Sequence, residues 1–232
     1  GGFWGYESAG QFTSQEQIDN WKIDNDGKGN RTMRPGDIIY KDLNNDGRIT
    51  DLDMRKIGYS GGLPLLNYGI SINANWKGFD LSLFFNSIIR DAWNNSKFYT
   101  DFFPLWTGNH GTQLLEAANA YDSYLQTGYY GADVPAPSID NSNNENESSD
   151  YYIEDGSFLR LKTLSLGYTL PEKVRTKLHL KNARVYFQAQ NVFTITNSSS
   201  PDPESIDIVT GVDSNNNYPL ATRFTLGLTL NL

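Results

Sequence analysis

Hydrophobic and polar residues alternate without a break at residues 68–76 of the chain. One side of an extended strand there would carry Tyr68, Ile70, Ile72, Ala74 and Trp76. The other side would carry Gly69, Ser71, Asn73 and Asn75. Lys77 and Gly78 follow as a two-residue turn, and apolar residues then recur at alternate positions from 79 to 85. Since successive side chains of a strand point to opposite faces, the pattern predicts a β-hairpin with one apolar and one polar face.

The same alternation returns in three later segments, at residues 159–170, 183–196 and 224–232. Within the first of them, Leu159 and Leu161 are out of phase with Leu164 and Leu166, which predicts a β-bulge near Thr163. Weaker strand signals lie at 3–12 and 37–40, and the Ser14–Gln17 spacing predicts a capped short helix. The fold class is therefore all-β, with five clear strands and two weaker ones.

The connections between the predicted strands alternate between short and long. The turns at 77–78 and 171–182 are short, whereas the segments 90–156 and 197–220 are long. Outer-membrane barrels have short periplasmic turns and long extracellular loops, so we predict a transmembrane antiparallel β-barrel whose last strand is 224–232. Five to seven strands cannot close such a barrel, and we expect the chain to be the C-terminal part of a larger one. The alternative is a secreted soluble β-sandwich that binds carbohydrate.

In the barrel hypothesis, the polar side of the strands lines the path of the solute, and the long segments face outward. The polar residues expected in the lumen are Asn73, Asn75, Asp80, Asn86, Gln188 and Gln190.

The composition argues against several other classes of function. The net charge is −8 and no Lys/Arg cluster occurs, so a nucleic-acid partner is not expected. The chain has no cysteine and only two histidines, without metal-ligand spacing. No nucleophile elbow, zinc-protease motif or phosphate-binding glycine loop is present, and we expect no catalytic residues and no enzyme activity.

The stretch DLNNDGRITDLD, at 42–53, matches a calcium loop of the EF-hand type. The expected ligands are Asp42, Asn44 and Asp46, the carbonyl of Arg48, and Asp53, with Gly47 at the sharp turn. Such a Ca²⁺ ion would be structural and would stiffen an extracellular loop. The alternative is an Asx-rich turn that needs no metal. The stretch DNDG at 24–27 is too short a match to count.

Aromatic residues are concentrated in the long segment 90–156, where a helix is also predicted over 111–125. Four of them are candidate contacts for a substrate or a protein lid: Trp93, Tyr99, Phe103 and Trp106. The alternative is that most of these rings form a small core within the segment itself.

Six stretches together resemble the SusC/RagA family of TonB-dependent outer-membrane transporters. They are GGFWGYESAGQFTSQEQI at 1–18, RPGDIIYKDLNNDGRITDLDMRKIG at 34–58, NYGISINANWKGFDLSLFF at 67–85, YIEDGSFLRLKTLSLGYTLP at 152–171, ARVYFQAQNVFTIT at 183–196 and YPLATRFTLGLTLNL at 218–232. The resemblance implies a 22-stranded barrel, a SusD-like surface lipoprotein as lid, and coupling to the TonB complex through an N-terminal part that this chain lacks. It also implies uptake of oligosaccharides or peptides across the outer membrane of a Bacteroidetes bacterium.

Overall fold

The computed structural model describes residues 2–59, 63–95, 97, 115–137, 147–213 and 218–231. The chain forms two compact units. The first comprises Gly1–Leu63, Asp91–Glu154 and Asp207–Asn215, and the second comprises Pro64–Arg90, Asp155–Ile206 and Asn216–Leu232.

The described residues are mostly β-strand, with three short helices. The strands, in chain order, are β1 (Phe3–Gly5), β2 (Ser8–Gln11), β3 (Ile38–Tyr40), β4 (Arg55–Gly58), β5 (Leu66–Trp76), β6 (Phe79–Ile89), β7 (Asp91–Asn94), β8 (Ile153–Asp155), β9 (Phe158–Thr169), β10 (Asn182–Thr196), β11 (Val212–Asp213) and β12 (Arg223–Asn231). The helices are α1 (Gln15–Asp19), α2 (Leu115–Thr127) and α3 (Glu172–Lys177). None of the described helices is long and apolar enough to span a membrane.

The second unit is built around one antiparallel sheet of five strands, in the order β12-β10-β9-β6-β5. The five strands predicted from alternation are confirmed. Lys77 and Gly78 join β5 to β6 with positive φ at both positions, the geometry of a tight hairpin turn. Lys162 has no direct partner in the register, since Thr163 and Leu161 pair with the consecutive residues Phe84 and Phe85. The bulge predicted near Thr163 is therefore confirmed.

The first unit consists of short strands around small cores. Strand β3 is buried at all three positions because its two faces meet different clusters. Ile38 and Tyr40 pack with Tyr6 and Tyr152, whereas Ile39 packs with Phe12 on the other side. The weaker strand signals at 3–12 and 37–40 correspond to β1, β2 and β3.

Helix α1 begins as the sequence predicts. The Ser14 hydroxyl accepts a hydrogen bond from the Gln17 amide at 3.2 Å. The Gln17 side chain reaches one residue further back than in a standard capping box, and accepts from the Thr13 amide at 2.8 Å. Helix α2 confirms the helix predicted in the long segment from residue 115 onward, whereas the predicted residues 111–114 lie outside the described residues.

Two features of the connections differ from a simple alternation of turns and loops. Helix α3 occupies the short connection between β9 and β10, with Glu172 in its first turn and Arg175 and Lys177 in its last, the order that the helix dipole favours. The long segment 90–156 contains β7, β8 and α2, and β7 pairs in parallel with β11 from the other long segment. The described parts of these segments are structured connections rather than plain loops.

Candidate functional site: the two faces of the five-stranded sheet

The apolar residues of the five strands align into continuous rows across the sheet. In one row Ala74 pairs with Leu81, Leu81 with Leu166, Leu166 with Phe187, and Phe187 with Leu226. These side chains are largely uncovered, with Leu166 44% and Leu226 77% exposed. A soluble domain rarely leaves an aligned apolar surface of this extent open to water. We call this surface the apolar face.

The polar residues form matching rows on the opposite surface, the polar face. One row runs through Asn73, Ser82, Ser165, Gln188 and Thr225. The neighbouring positions on these strands carry the other residues predicted for the lumen: Asn75 pairs with Asp80, Asn86 with Arg160, and Gln190 with Thr163. The structure thus brings all six of these residues to one face of one sheet.

An ion pair crosses the polar face near the short turns. The Arg184 side chain on β10 reaches over β9 to Asp80 on β6, and its Nε donates to Asp80 Oδ1 at 2.9 Å. Gly167 lies beneath the pair: a Cβ at this position would be 2.3 Å from the guanidinium and 2.4 Å from the carboxylate. The absence of a side chain at Gly167 is what lets the two charges meet across the intervening strand.

A second, more buried ionic cluster occupies the other end of the polar face. Arg160 on β9 donates to Asp202 at 2.6 Å and to Glu204 at 2.6 Å, and Lys162 donates to Glu204 at 2.6 Å. The Arg160 and Asp202 side chains are 5% and 2% exposed. Burial raises the pKa of Asp202, but hydrogen bonds from Arg160 and from the amides of Leu220 and Glu204 outweigh burial and hold the pKa below its usual value.

The calcium-type loop is held together by hydrogen bonds from its own backbone. The Asp42 carboxylate accepts from the Asp46 and Gly47 amides, and Asp46 accepts from the Arg48 amide at 2.9 Å. Asp53 is fully buried, and its carboxylate accepts from the amides of Leu43, Asn44 and Thr50.

The loop links Asp42, Asn44 and Asp46 to one another but turns Asp53 inward. Within the described ranges, no group of three or more His, Cys, Asp or Glu side chains is arranged to hold a metal ion. The same hydrogen bonds also suit an Asx-rich turn. Calcium binding by Asp42, Asn44, Asp46, the Arg48 carbonyl and Asp53 stays a prediction.

Comparison with known proteins decides the family. TonB-dependent receptor P3 of Formosa agariphila shares 30% sequence identity with this chain in an alignment that covers 99% of the chain. TonB-dependent receptor SusC of Bacteroides thetaiotaomicron shares 30% identity in an alignment that covers 85% of it. The chain belongs to the SusC/RagA family of TonB-dependent receptors. Members of this family are outer-membrane proteins.

Solved structures agree on the fold. The chain superposes on the RagAB peptide transporter with a TM-score of 0.70 at 23% identity over 99% of its length, and on the open-open state of the RagAB peptide importer with a TM-score of 0.65. No protein-family model matches the chain. The chain spans about a fifth of the length of these relatives, 22% for P3, 18% for SusC and 22% for RagAB.

Of the aromatic candidates in this SusC/RagA-type chain, only Trp93 lies among the described residues. Its ring stacks on Tyr152, with centroids 4.8 Å apart and planes inclined by 13°, and lies 5.8 Å from Phe3. Trp93 is thus packed within the first unit, against rings that lie both inside and outside the segment 90–156. Tyr99, Phe103 and Trp106 lie outside the described residues. A contact of any of the four with a substrate or lid stays a prediction.

The structure assembles two sites that the sequence did not predict. One is the Arg160–Asp202 cluster, whose only sequence signal is a pair of charges at 160 and 162 inside a run of leucines. The other is the loop after Asp24, dismissed as too short a motif. There the Asp26 carboxylate accepts from the amides of Lys28, Asn30 and Thr32 and from the Thr32 hydroxyl.

This second loop pairs with the calcium-type loop. The Asp24 amide donates to the Gly47 carbonyl, and the Ile49 amide donates to the Asp24 carbonyl, each at 2.9 Å. Burial raises the pKa of Asp26, but the hydrogen bonds from Thr32, Lys28 and Asn30 outweigh it and lower the pKa to about 2. The two Asx-rich loops therefore form one structural element.

Proposed function

We propose that the complete protein imports oligosaccharides or peptides across the outer membrane in a TonB-dependent manner. This chain supplies five strands of a 22-stranded transmembrane barrel. A SusD-like surface lipoprotein covers the outer mouth, and the TonB complex acts through the part of the protein that precedes this chain.

The observation that carries the proposal is the division of the sheet into an exposed apolar face and a polar face. In a barrel wall the apolar face contacts lipid, which removes its rows of leucine, isoleucine and phenylalanine from water. The polar face then turns to the lumen, where Asn73, Asn75, Gln188 and Gln190 offer amide donors and acceptors to a passing solute. Both hydroxyl-rich sugars and peptide backbones are recognised by such groups.

The length of the connections supports one orientation. The segments 90–156 and 197–222 leave the same end of the sheet, and the short connections at 77–78 and 170–181 leave the opposite end. We assign the short connections to the periplasm and the long segments, together with the 42–53 loop, to the outside. If that loop binds Ca²⁺, the ion stiffens an element on the surface of the cell.

Deletion of the gene and complementation in the native bacterium test the proposal. The complemented strain should take up one class in a panel of labelled oligosaccharides and peptides, and both the deletion strain and a strain without TonB should not. The protein should sediment with outer membranes and run faster on gels when unheated. Recovery in the soluble fraction, or uptake of every solute at the wild-type rate in the deletion strain, contradicts the proposal.

A further inference from the structure

The segment 197–206, which we call the strap, folds back over the polar face of the sheet after β10 ends at Thr196. Arg160 lies on this face, where it pairs in register with Asn86 and with Thr194 on the neighbouring strands. Its Nε donates to the Thr194 hydroxyl at 2.7 Å, and its two terminal nitrogens bind Asp202 and Glu204 of the strap. The strap is therefore anchored on the face that carries the polar rows.

Three basic side chains hold the strap, at its two carboxylates and at two of its backbone carbonyls. Arg160 binds the Asp202 carboxylate, Lys162 binds Glu204, and Arg90 donates to the Pro203 carbonyl at 2.8 Å and to the Ile206 carbonyl at 3.4 Å. Anchors at both charged side chains and at two backbone carbonyls leave little freedom for the strap to move as a hinged lid.

The strap is also ordered internally and tied to the chain that returns to β12. Asp202 accepts from the Glu204 amide at 3.0 Å, and its carbonyl accepts from the Ser205 hydroxyl at 2.7 Å. The Leu220 amide donates to the Asp202 carboxylate at 2.8 Å, so the residue that binds Arg160 also fixes the far end of this connection. One carboxylate thus joins the sheet, the strap and the return to β12.

We propose that the strap is a fixed constriction of the solute path and that Arg160 is the residue that positions it. This inference rests on the proposed function, in which the polar face lines the lumen. Because the Arg160–Asp202 pair is buried, removal of Arg160 leaves the Asp202 carboxylate without its cationic partner in a site largely closed to water. Glu204 and Lys162, each about a quarter exposed, are the members of this cluster that a solute in the lumen could contact. The strap therefore sets the largest cross-section of solute that can pass.

Cysteine labelling of the purified full-length receptor, on a cysteine-free background, tests whether the strap is fixed. Ser200 is 7% exposed, whereas its neighbour Ser199 is exposed, so Ser200→Cys reports on the strap and Ser199→Cys is the reference. In the wild-type background a maleimide should label residue 200 at least about tenfold more slowly than residue 199, since labelling needs the strap to open. Equal rates would overturn the proposal.

Charge removal gives the second comparison. Arg160→Met should raise the labelling rate at residue 200 by about tenfold or more, because a lost buried ion pair shifts the opening equilibrium by at least that factor. Arg184→Met is the matched control, since it removes an ion pair from the same face that does not touch the strap, and it should leave labelling unchanged. If Arg160→Met does not fold, judged by heat-modifiable mobility, Glu204→Gln replaces it and should give a smaller rise. No rise in either variant contradicts the role of Arg160.

Uptake by cells tests whether the strap limits the size of the imported solute or only stabilises the fold. In a size series of the imported solute, Arg160→Met or Glu204→Gln should admit larger members than the wild type does, while Arg184→Met keeps the wild-type limit. An unchanged limit in a variant whose strap labels rapidly overturns the constriction. Failure of the wild-type receptor to import any solute instead overturns the proposed function, and the labelling result is independent of it.

Discussion

Asp26 shows how one carboxylate can organise a loop that has no regular structure. Its two oxygens accept four hydrogen bonds from Lys28, Asn30 and Thr32. Asn in its place offers one acceptor oxygen, so Asp26→Asn should lose the bonds of the other and weaken the loop by about 1–2 kcal/mol. Hydrogen exchange followed by mass spectrometry should show faster exchange in peptides covering 24–32. Asp19→Asn, which loses only a surface bond from Gln15, is the control.

The lowered pKa of Asp26 sets the pH range in which this contribution disappears. The folded value is about 2 and the ordinary value is 3.8, so the carboxylate stabilises the loop fully above 3.8 and progressively less as the pH falls towards 2. Pepsin should therefore cut the wild-type loop increasingly across this interval. The Asp26→Asn loop should be cut equally at both ends of it. A wild-type loop that is equally protected at both pH values contradicts the assignment.

At the scale of the strand, Gly167 on β9 leaves the space that the Asp80–Arg184 ion pair occupies. A methyl group there would overlap both members of the Asp80–Arg184 pair. Gly167→Ala should push the Asp80–Arg184 pair apart and lower stability by up to about 1 kcal/mol, the usual contribution of a partly exposed ion pair, measured as a lower temperature for the change in gel mobility. Ser165→Ala, on the same strand and face, is the control. In an Arg184→Ala background the cost should shrink, and an undiminished cost would point to backbone strain instead.

The calcium-type loop allows a test that separates metal binding from folding. Calorimetry should detect one Ca²⁺ site with Kd on the order of 10⁻⁴ M, as in extracellular modules, and Asp42→Asn with Asp46→Asn should remove it. Asp19→Asn should not. Asp53→Asn should loosen the loop even without Ca²⁺, because Asp53 holds three backbone amides. No heat of binding at millimolar Ca²⁺ would leave the Asx-rich turn as the whole explanation of the motif.

The elements that the sequence predicts are those whose cause is local. The β5–β6 hairpin follows from alternation around Lys77 and Gly78, and the bulge at Lys162 follows from a change of phase. The Arg160–Asp202 pair joins residues 42 positions apart, and the sequence around either residue does not predict which residue it pairs with. The parallel pairing of β7 with β11 depends on two residues of each strand, too few for any periodic signal. Contacts of this kind are set by tertiary packing.

At the scale of the whole molecule, each strand of the sheet has to present apolar residues on one face and polar residues on the other. Three apolar rows run from β5 to β12. Beyond the bulge in β9, Phe85, Leu161 and Phe193 stay aligned because β10 departs from regular pairing at the same place, between Gln190 and Phe193. A shift of one residue in any strand would exchange its faces. The compensation preserves a lipid-type surface on one side and a polar surface on the other.

Neighbouring residues on β9 test this division most directly. Leu166→Lys places a charge on the apolar face, whereas Ser165→Lys places the same charge on the polar face one residue away. If the apolar face contacts lipid, Leu166→Lys should cost about 2–4 kcal/mol near the middle of the bilayer and reduce the amount of receptor assembled in outer membranes, while Ser165→Lys should assemble normally. Equal assembly of the two variants would mean that lipid does not contact Leu166. Because both variants introduce lysine, the properties of lysine alone cannot account for a difference in assembly.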